Sequence, residues 1–173
     1  MKRSVVVLAG LAALAVVAPA QTSKPIGLSV RAGLIWPTSG FGRDQGRSWF
    51  GLGGEFKLKD STFGVNDRAS TGMITLSADY YGKGAASSFP ILLNYVGMNN
   101  EIFYSFGAGV AFNRDEQVVA GLVQGRNKMD FAYQIGVGYN FQQGQNPLFV
   151  EAKYFGSGNS NLNALGVYIG IRL

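Results

Sequence analysis

Large apolar residues recur at every second position along this chain, in segments of about ten residues separated by polar turns. This is the periodicity of half-buried strands, not of helices. In segment 26–36, Leu28, Val30, Ala32, Leu34 and Trp36 share one face, and Gly27, Ser29, Arg31 and Gly33 share the other. Segments 49–59, 73–81, 89–97, 101–113, 131–141, 148–155 and 163–173 repeat the pattern. Segment 89–97 is the least regular, because Leu92 and Val96 make both of its faces apolar. Beyond residue 20 no apolar run is long enough for a membrane helix. The pattern predicts eight strands. The connections are expected at 37–48, 82–88, 114–130 and 156–162 at one end, and at 60–72, 98–100 and 142–147 at the other.

Eight alternating strands close into an antiparallel up-and-down barrel, and the two faces of the strands say which side meets what. The large apolar face is nearly unbroken and carries aromatics at the segment ends. Trp36, Phe50, Tyr80, Phe89, Phe112, Phe131 and Tyr154 fall at one set of ends. Tyr95, Tyr104, Tyr139 and Phe141 fall at or near the other. Two aromatic girdles flanking an apolar band are what a bilayer selects on the outside of a barrel. The opposite face is small and polar, with Gly51, Gly53, Gly107, Gly109, Gly136 and Gly138 among its residues. A water-facing surface has no steric need for so much glycine, but the narrow interior of an eight-stranded barrel does. The charges Arg31, Glu55, Lys57, Lys59, Asp79, Glu101, Glu151, Lys153 and Arg172 fall on this face too.

The expectation is therefore an all-β, eight-stranded antiparallel transmembrane β-barrel. Its lumen is expected to hold a paired charge network of Arg31, Glu55, Lys57, Asp79, Glu151, Lys153 and Arg172, since unpaired charges in such a space are costly. Two other readings remain open. A soluble, lipocalin-like periplasmic barrel would turn Arg31, Glu55 and Lys153 to water and line an apolar ligand cavity with Leu34, Leu76 and Ile135. A narrow ion or solute channel would need a lumen free of the charged side chains of that network.

The first twenty residues do not follow the strand pattern. Met1, Lys2 and Arg3 form a positive start, residues 5–17 are apolar, and Ala18, Pro19 and Ala20 form a small-residue cleavage site. This is the layout of a secretory signal peptide, so residues 1–20 are read as a leader and 21–173 as the barrel domain. Its removal takes the net charge from +5 to +3, too mild a balance for nucleic-acid binding. The chain has no cysteine and no histidine. Thiolate or imidazole metal sites, disulfides and histidine-activated serine nucleophiles are excluded, and neither a metal, a cofactor nor an enzymatic activity is expected.

Together the leader, the eight alternating segments and the C-terminal strand resemble the small outer-membrane β-barrel proteins of the OmpA/OmpX type, over residues 21–173. Residues 89–95, Phe-Pro-Ile-Leu-Leu-Asn-Tyr, are similar to a strand common in such barrels. The resemblance implies location in the outer membrane, contact with its lipids and insertion by the barrel-assembly machinery through strand 163–173. The alternation of that strand is similar to the assembly signal, although it ends in Leu173 where phenylalanine is usual. It implies a structural or surface-interaction role. The candidate contacts for an external ligand, such as lipopolysaccharide phosphates, are Arg43 and Arg47 in the first connection and Arg114, Arg126 and Lys128 in the third.

Overall fold

The computed structural model describes residues 27–65, 68–119, 122–141 and 147–173, and within 62–71 and 116–124 it describes the backbone alone. The expected leader at 1–20 lies outside the described residues. Eight strands form one closed sheet in sequence order: β1 (Leu28–Pro37), β2 (Trp49–Val65), β3 (Arg68–Lys83), β4 (Ala86–Asn99), β5 (Ile102–Val119), β6 (Leu122–Asn140), β7 (Leu148–Ser157) and β8 (Ala164–Arg172). Every neighbouring pair is antiparallel, and β1 pairs with β8 from Ser29↔Arg172 to Pro37↔Ala164. Closure leaves no free sheet edge around the wall. The ends of β1 and β8 meet where Gly27 N–H donates to the Leu173 carbonyl at 3.1 Å. We call this the terminal end and the opposite one the far end. A short helix, α1 (Gly40–Gln45), lies in the connection between β1 and β2 at the far end.

The apolar face points outward. Leu34, Leu76 and Ile135 are 52, 44 and 61% exposed, whereas Arg31, Glu55 and Lys153 are 4, 8 and 0% exposed. The soluble-barrel alternative required the reverse and is overturned by this geometry. Of the expected girdle, Trp36, Phe50, Tyr80, Phe89, Phe112, Phe131, Tyr104, Tyr139 and Phe141 are exposed on the outer wall. Tyr95 and Tyr154 are half-buried. Tyr95 lies flat along the wall, with its ring against Tyr104 and Phe106 and over Gly72 of β3, where a methyl group would collide with it.

Two expected loops are strands. The span 114–130 is almost wholly a hairpin, with β5 and β6 paired from Asn113↔Lys128 to Val119↔Leu122. The span 60–72 is likewise a hairpin, paired from Asp60↔Met73 to Val65↔Arg68. The 82–88 connection shrinks to the turn between Lys83 and Ala86, where Gly84 has φ +61°. A register shift between Lys57 and Lys59 inverts the alternation of β2. Lys59, expected inside, therefore stands opposite Ile74 of the outward face. Such a bulge adds one unpaired residue and re-aims the side chains beyond it.

Candidate functional site

The inward residues fill the barrel in three layers. At the far end, Ile35, Trp49, Tyr81, Phe155, Leu162 and Tyr168 form a buried apolar plug, with Phe41 of α1 packed on it. At the terminal end, Met73, Val96, Phe103 and Phe149 form a second, smaller one. Between them lies a polar, charged layer. The sequence pattern marks the inward face as small and polar, and it misses Trp49, Tyr81, Phe103, Phe149 and Phe155. Their signal is present in the alternation, as large residues in step with Arg31 and Glu55. It is masked by the apolar neighbours on both sides.

Arg31 organises the charged layer. Its Nε and Nη2 donate to Asp79 Oδ1 and Oδ2 at 2.9 and 2.8 Å, a two-point fork geometry. Its Nη1 donates to Glu55 Oε2 at 2.9 Å and lies 3.8 Å from Glu151 Oε2. Lys153 Nζ sits 3.5 Å from Glu151 Oε1 and 4.0 Å from Glu55 Oε2, and donates to Gln134 Oε1 at 3.1 Å. Gln134 Nε2 then donates to Asn94 Oδ1 at 2.6 Å, Asn94 Nδ2 to Ser77 Oγ at 3.0 Å, and Ser105 Oγ to Glu151 Oε1 at 3.2 Å. The chain of contacts touches every strand from β1 to β7. A buried charge is tolerable only when its partners are all present, and here each is matched. Gly53 makes the space: a methyl group there would overlap Asp79 Oδ1 and Arg31 Nε.

Of the expected network, the structure thus brings together Arg31, Glu55, Asp79, Glu151 and Lys153. It leaves out Lys57 and Arg172. Lys57 sits at the terminal mouth, half-exposed, with Nζ 3.3 Å from Asp60 Oδ1, because β2 leaves the lumen at the bulge just beyond it. The Arg172 guanidinium lies over the rings of Phe103 and Phe149, 4.5 and 5.2 Å from their centroids. It caps the terminal-end plug, the lower of the two, by cation–π contact instead of pairing with a carboxylate. Lys57, Arg172, Ser29 and Glu55 line a vestibule of about 230 Å³ that opens at the terminal end and stops at the charged layer. Glu101, expected inside, falls at the β4–β5 turn.

At the far end the candidate cations separate into two groups. Arg114, Arg126 and Lys128 stand on the β5–β6 hairpin among Asp115, Glu116 and Asp130. Lys128 Nζ lies 2.6 Å from Asp130 Oδ1, and Asp115 and Arg126 are cross-strand partners. Arg43 and Arg47 stand apart, exposed, with Asp44, Trp36 and Pro37 around a cleft of about 460 Å³. Ser88 Oγ donates to Asn113 Oδ1 at 2.8 Å, and Asn113 Nδ2 to Asp130 Oδ2 at 3.0 Å, a chain that braces the mouth of the barrel.

A closed antiparallel barrel with its apolar face outward and its polar groups inside is the way strands cross a membrane, since every backbone group is paired within the wall. Among solved structures, the N-terminal β-barrel domain of Pseudomonas aeruginosa OprF superposes with a TM-score of 0.50 at 12% identity, over 86% of this chain and 97% of that one. This is the fold of the small outer-membrane barrels. Two others are also similar to the barrel: the outer membrane protein Ail of Yersinia pestis, in a phospholipid bilayer nanodisc, and the outer membrane enzyme PagL. Ail gives a TM-score of 0.49 at 13% identity over 84% of this chain and 98% of that one. PagL gives 0.46 at 20% over 84% and 97%. No protein-family model matches the chain, and no curated protein matches it. The fold of the outer-membrane barrels is thus recognised by its topology and faces, not by a sequence signature.

Proposed function

We propose that the protein is a closed, non-conducting barrel of the outer membrane, structural in its wall and interactive at its far end. The carrying observation is the filled lumen. Trp49, Tyr81 and Tyr168 above, the Arg31 layer in the middle and Phe103 with Phe149 below are all buried side chains. An ion entering by the terminal vestibule would still have to break the Arg31 pairs and pass the far-end apolar plug, which speaks against the channel reading. Termini at one end of such a barrel mark its periplasmic side, so the far end, with α1 and the β5–β6 hairpin, faces outward. β8 presents Leu165, Val167 and Ile169 outward, which fits delivery of 163–173 to the barrel-assembly machinery. With no histidine or cysteine in the chain, its serines have no imidazole to activate them, which favours binding over catalysis.

The test is to refold residues 21–173 into detergent micelles and insert the product into planar bilayers. A closed barrel migrates differently on an SDS gel before and after boiling and gives no stepwise current. Stepwise openings from heat-modifiable material would replace this reading with the channel. A single unfolded band would remove the membrane barrel itself.

A further inference from the structure

The far-end cations form a seat for one kind of ligand only on one side of the rim. On the β5–β6 hairpin, Arg114, Arg126 and Lys128 are matched in number by Asp115, Glu116 and Asp130. Around α1, Arg43, Arg47 and Lys83 face a single acid, Asp44. This excess of positive charge stands directly above an aromatic sector of the wall, formed by Trp36, Phe50 and Tyr80. Trp36 itself lines the cleft that holds Arg43 and Arg47.

The cleft is held in shape. Arg43 Nη2 donates to the Thr38 carbonyl at 2.7 Å and its Nε to the Pro37 carbonyl at 3.5 Å, which fixes the guanidinium and leaves Nη1 for a ligand. Ser39 Oγ donates to the Asn161 carbonyl at 2.5 Å, and Phe41 roots α1 in the apolar plug. Lys83 Nζ donates to the Ser48 carbonyl at 3.3 Å. Gly46, with φ +150°, allows that approach, since a methyl group there would lie 2.7 Å from Lys83 Nζ. Arg47 is exposed, and among the described residues no hydrogen bond or ion pair engages it. A pinned arginine, a second unengaged one and a flanking lysine suit a phosphate, which takes paired N–H donors from guanidinium groups. Tryptophan on the wall beside them marks the depth at which headgroups lie.

We propose that this cleft seats the phosphate of a membrane-lipid headgroup in the leaflet at the far end of the barrel. The inference deepens the surface role proposed above and rests on the membrane-barrel reading. It differs from the sequence expectation, which gave the hairpin cations the same standing.

The test uses the folded barrel in phosphatidylcholine nanodiscs holding a minor fraction of phosphatidic acid. The acyl chains of one lipid or the other are brominated, and quenching of tryptophan fluorescence is read. Phosphatidic acid is expected to be enriched beside Trp36 by about fivefold, as a few basic side chains at a membrane surface allow. The combined Arg43→Gln, Arg47→Gln and Lys83→Gln variant should abolish the enrichment. Arg114→Gln with Arg126→Gln, which removes cations from the balanced side, should preserve it. Equal quenching by the two lipids in the wild type overturns the proposal, and so does enrichment that survives the first variant. Enrichment reversed by millimolar inorganic phosphate would assign the cleft to free phosphate and overturn the lipid assignment. Both leaflets of the disc carry the probe, so the result is independent of which way the barrel faces in a cell. Boiled and unboiled gel mobility of each variant reports separately on whether the barrel itself has formed.

Discussion

Gly53 and Gly54 are neighbours that face opposite ways and do opposite things. Gly53 points into the lumen, where an added methyl group would overlap Asp79 Oδ1 and crowd Arg31 Nε. Gly54 points to lipid, where the nearest atom to such a methyl group is the Ser29 carbonyl oxygen at 3.9 Å. Gly53→Ala should destabilise the barrel by about 1–3 kcal/mol, as overpacking does. Gly54→Ala should be neutral or stabilise it by up to about 1 kcal/mol, since alanine restricts the unfolded chain at no steric cost. Urea unfolding in micelles measures both, and equal effects from the two variants would contradict the close packing of the charged layer. The lumenal role of glycine was readable in the sequence, from its coincidence with the charged face. A second role was not. On the outer wall Tyr95, Tyr104 and Tyr133 lie over Gly72, Gly97 and Gly156 of adjacent strands. That pairing depends on cross-strand register, which one strand's periodicity does not carry.

At the scale of elements, the faces of the eight strands were legible up to the β2 bulge, and several of the strand ends were not. The reason is physical. Alternation marks a strand because lipid touches one side of it, and a strand that continues past the bilayer loses that contrast. The β5–β6 hairpin is polar on both faces at 114–117 and 124–128, and residues 118–123 are mostly apolar without alternation, so the span reads as a loop, yet its ladder runs on to Val119↔Leu122. The last β4–β5 pair on that side is Ser87↔Arg114, and the last β6–β7 pair is Ala132↔Ser157. Beyond these the two strands form a ladder only with each other, although Gly158 N–H still donates to the Phe131 carbonyl. Replacing residues 115–126 with an Asn-Gly turn joins the cross-strand partners Arg114 and Asn127 and removes no pair of the barrel wall. We expect the shortened protein to keep its heat-dependent gel shift, with stability changed by less than about 1 kcal/mol. It loses the side-chain bond from Asn159 to Asp115. Failure to fold would mean that the hairpin nucleates the barrel instead of decorating it.

For the whole molecule, the layers of the lumen decide how far water reaches. The sequence placed charges inside, and five of the seven expected pair in one layer, with Lys57 and Arg172 left toward the terminal end. It could not place the plugs, because whether an inward Trp49 or Phe103 blocks a lumen depends on what stands across from it. The vestibule brings solvent from the terminal end to Ser29 and the rim of the charged layer. Ser77, one layer deeper, is 0% exposed and accepts a hydrogen bond from Asn94. Because the chain has no cysteine, a single introduced thiol is a unique reporter. In the folded barrel Ser29→Cys should react with a small charged methanethiosulfonate reagent. Ser77→Cys should stay protected until the barrel is boiled in SDS, after which both should react alike. If Ser77→Cys reacts in the folded state as fast as Ser29→Cys, water passes the end of the vestibule into the charged layer. The lumen would then be a closed gate under the upper plug alone, and the site to mutate in search of conduction would be Trp49.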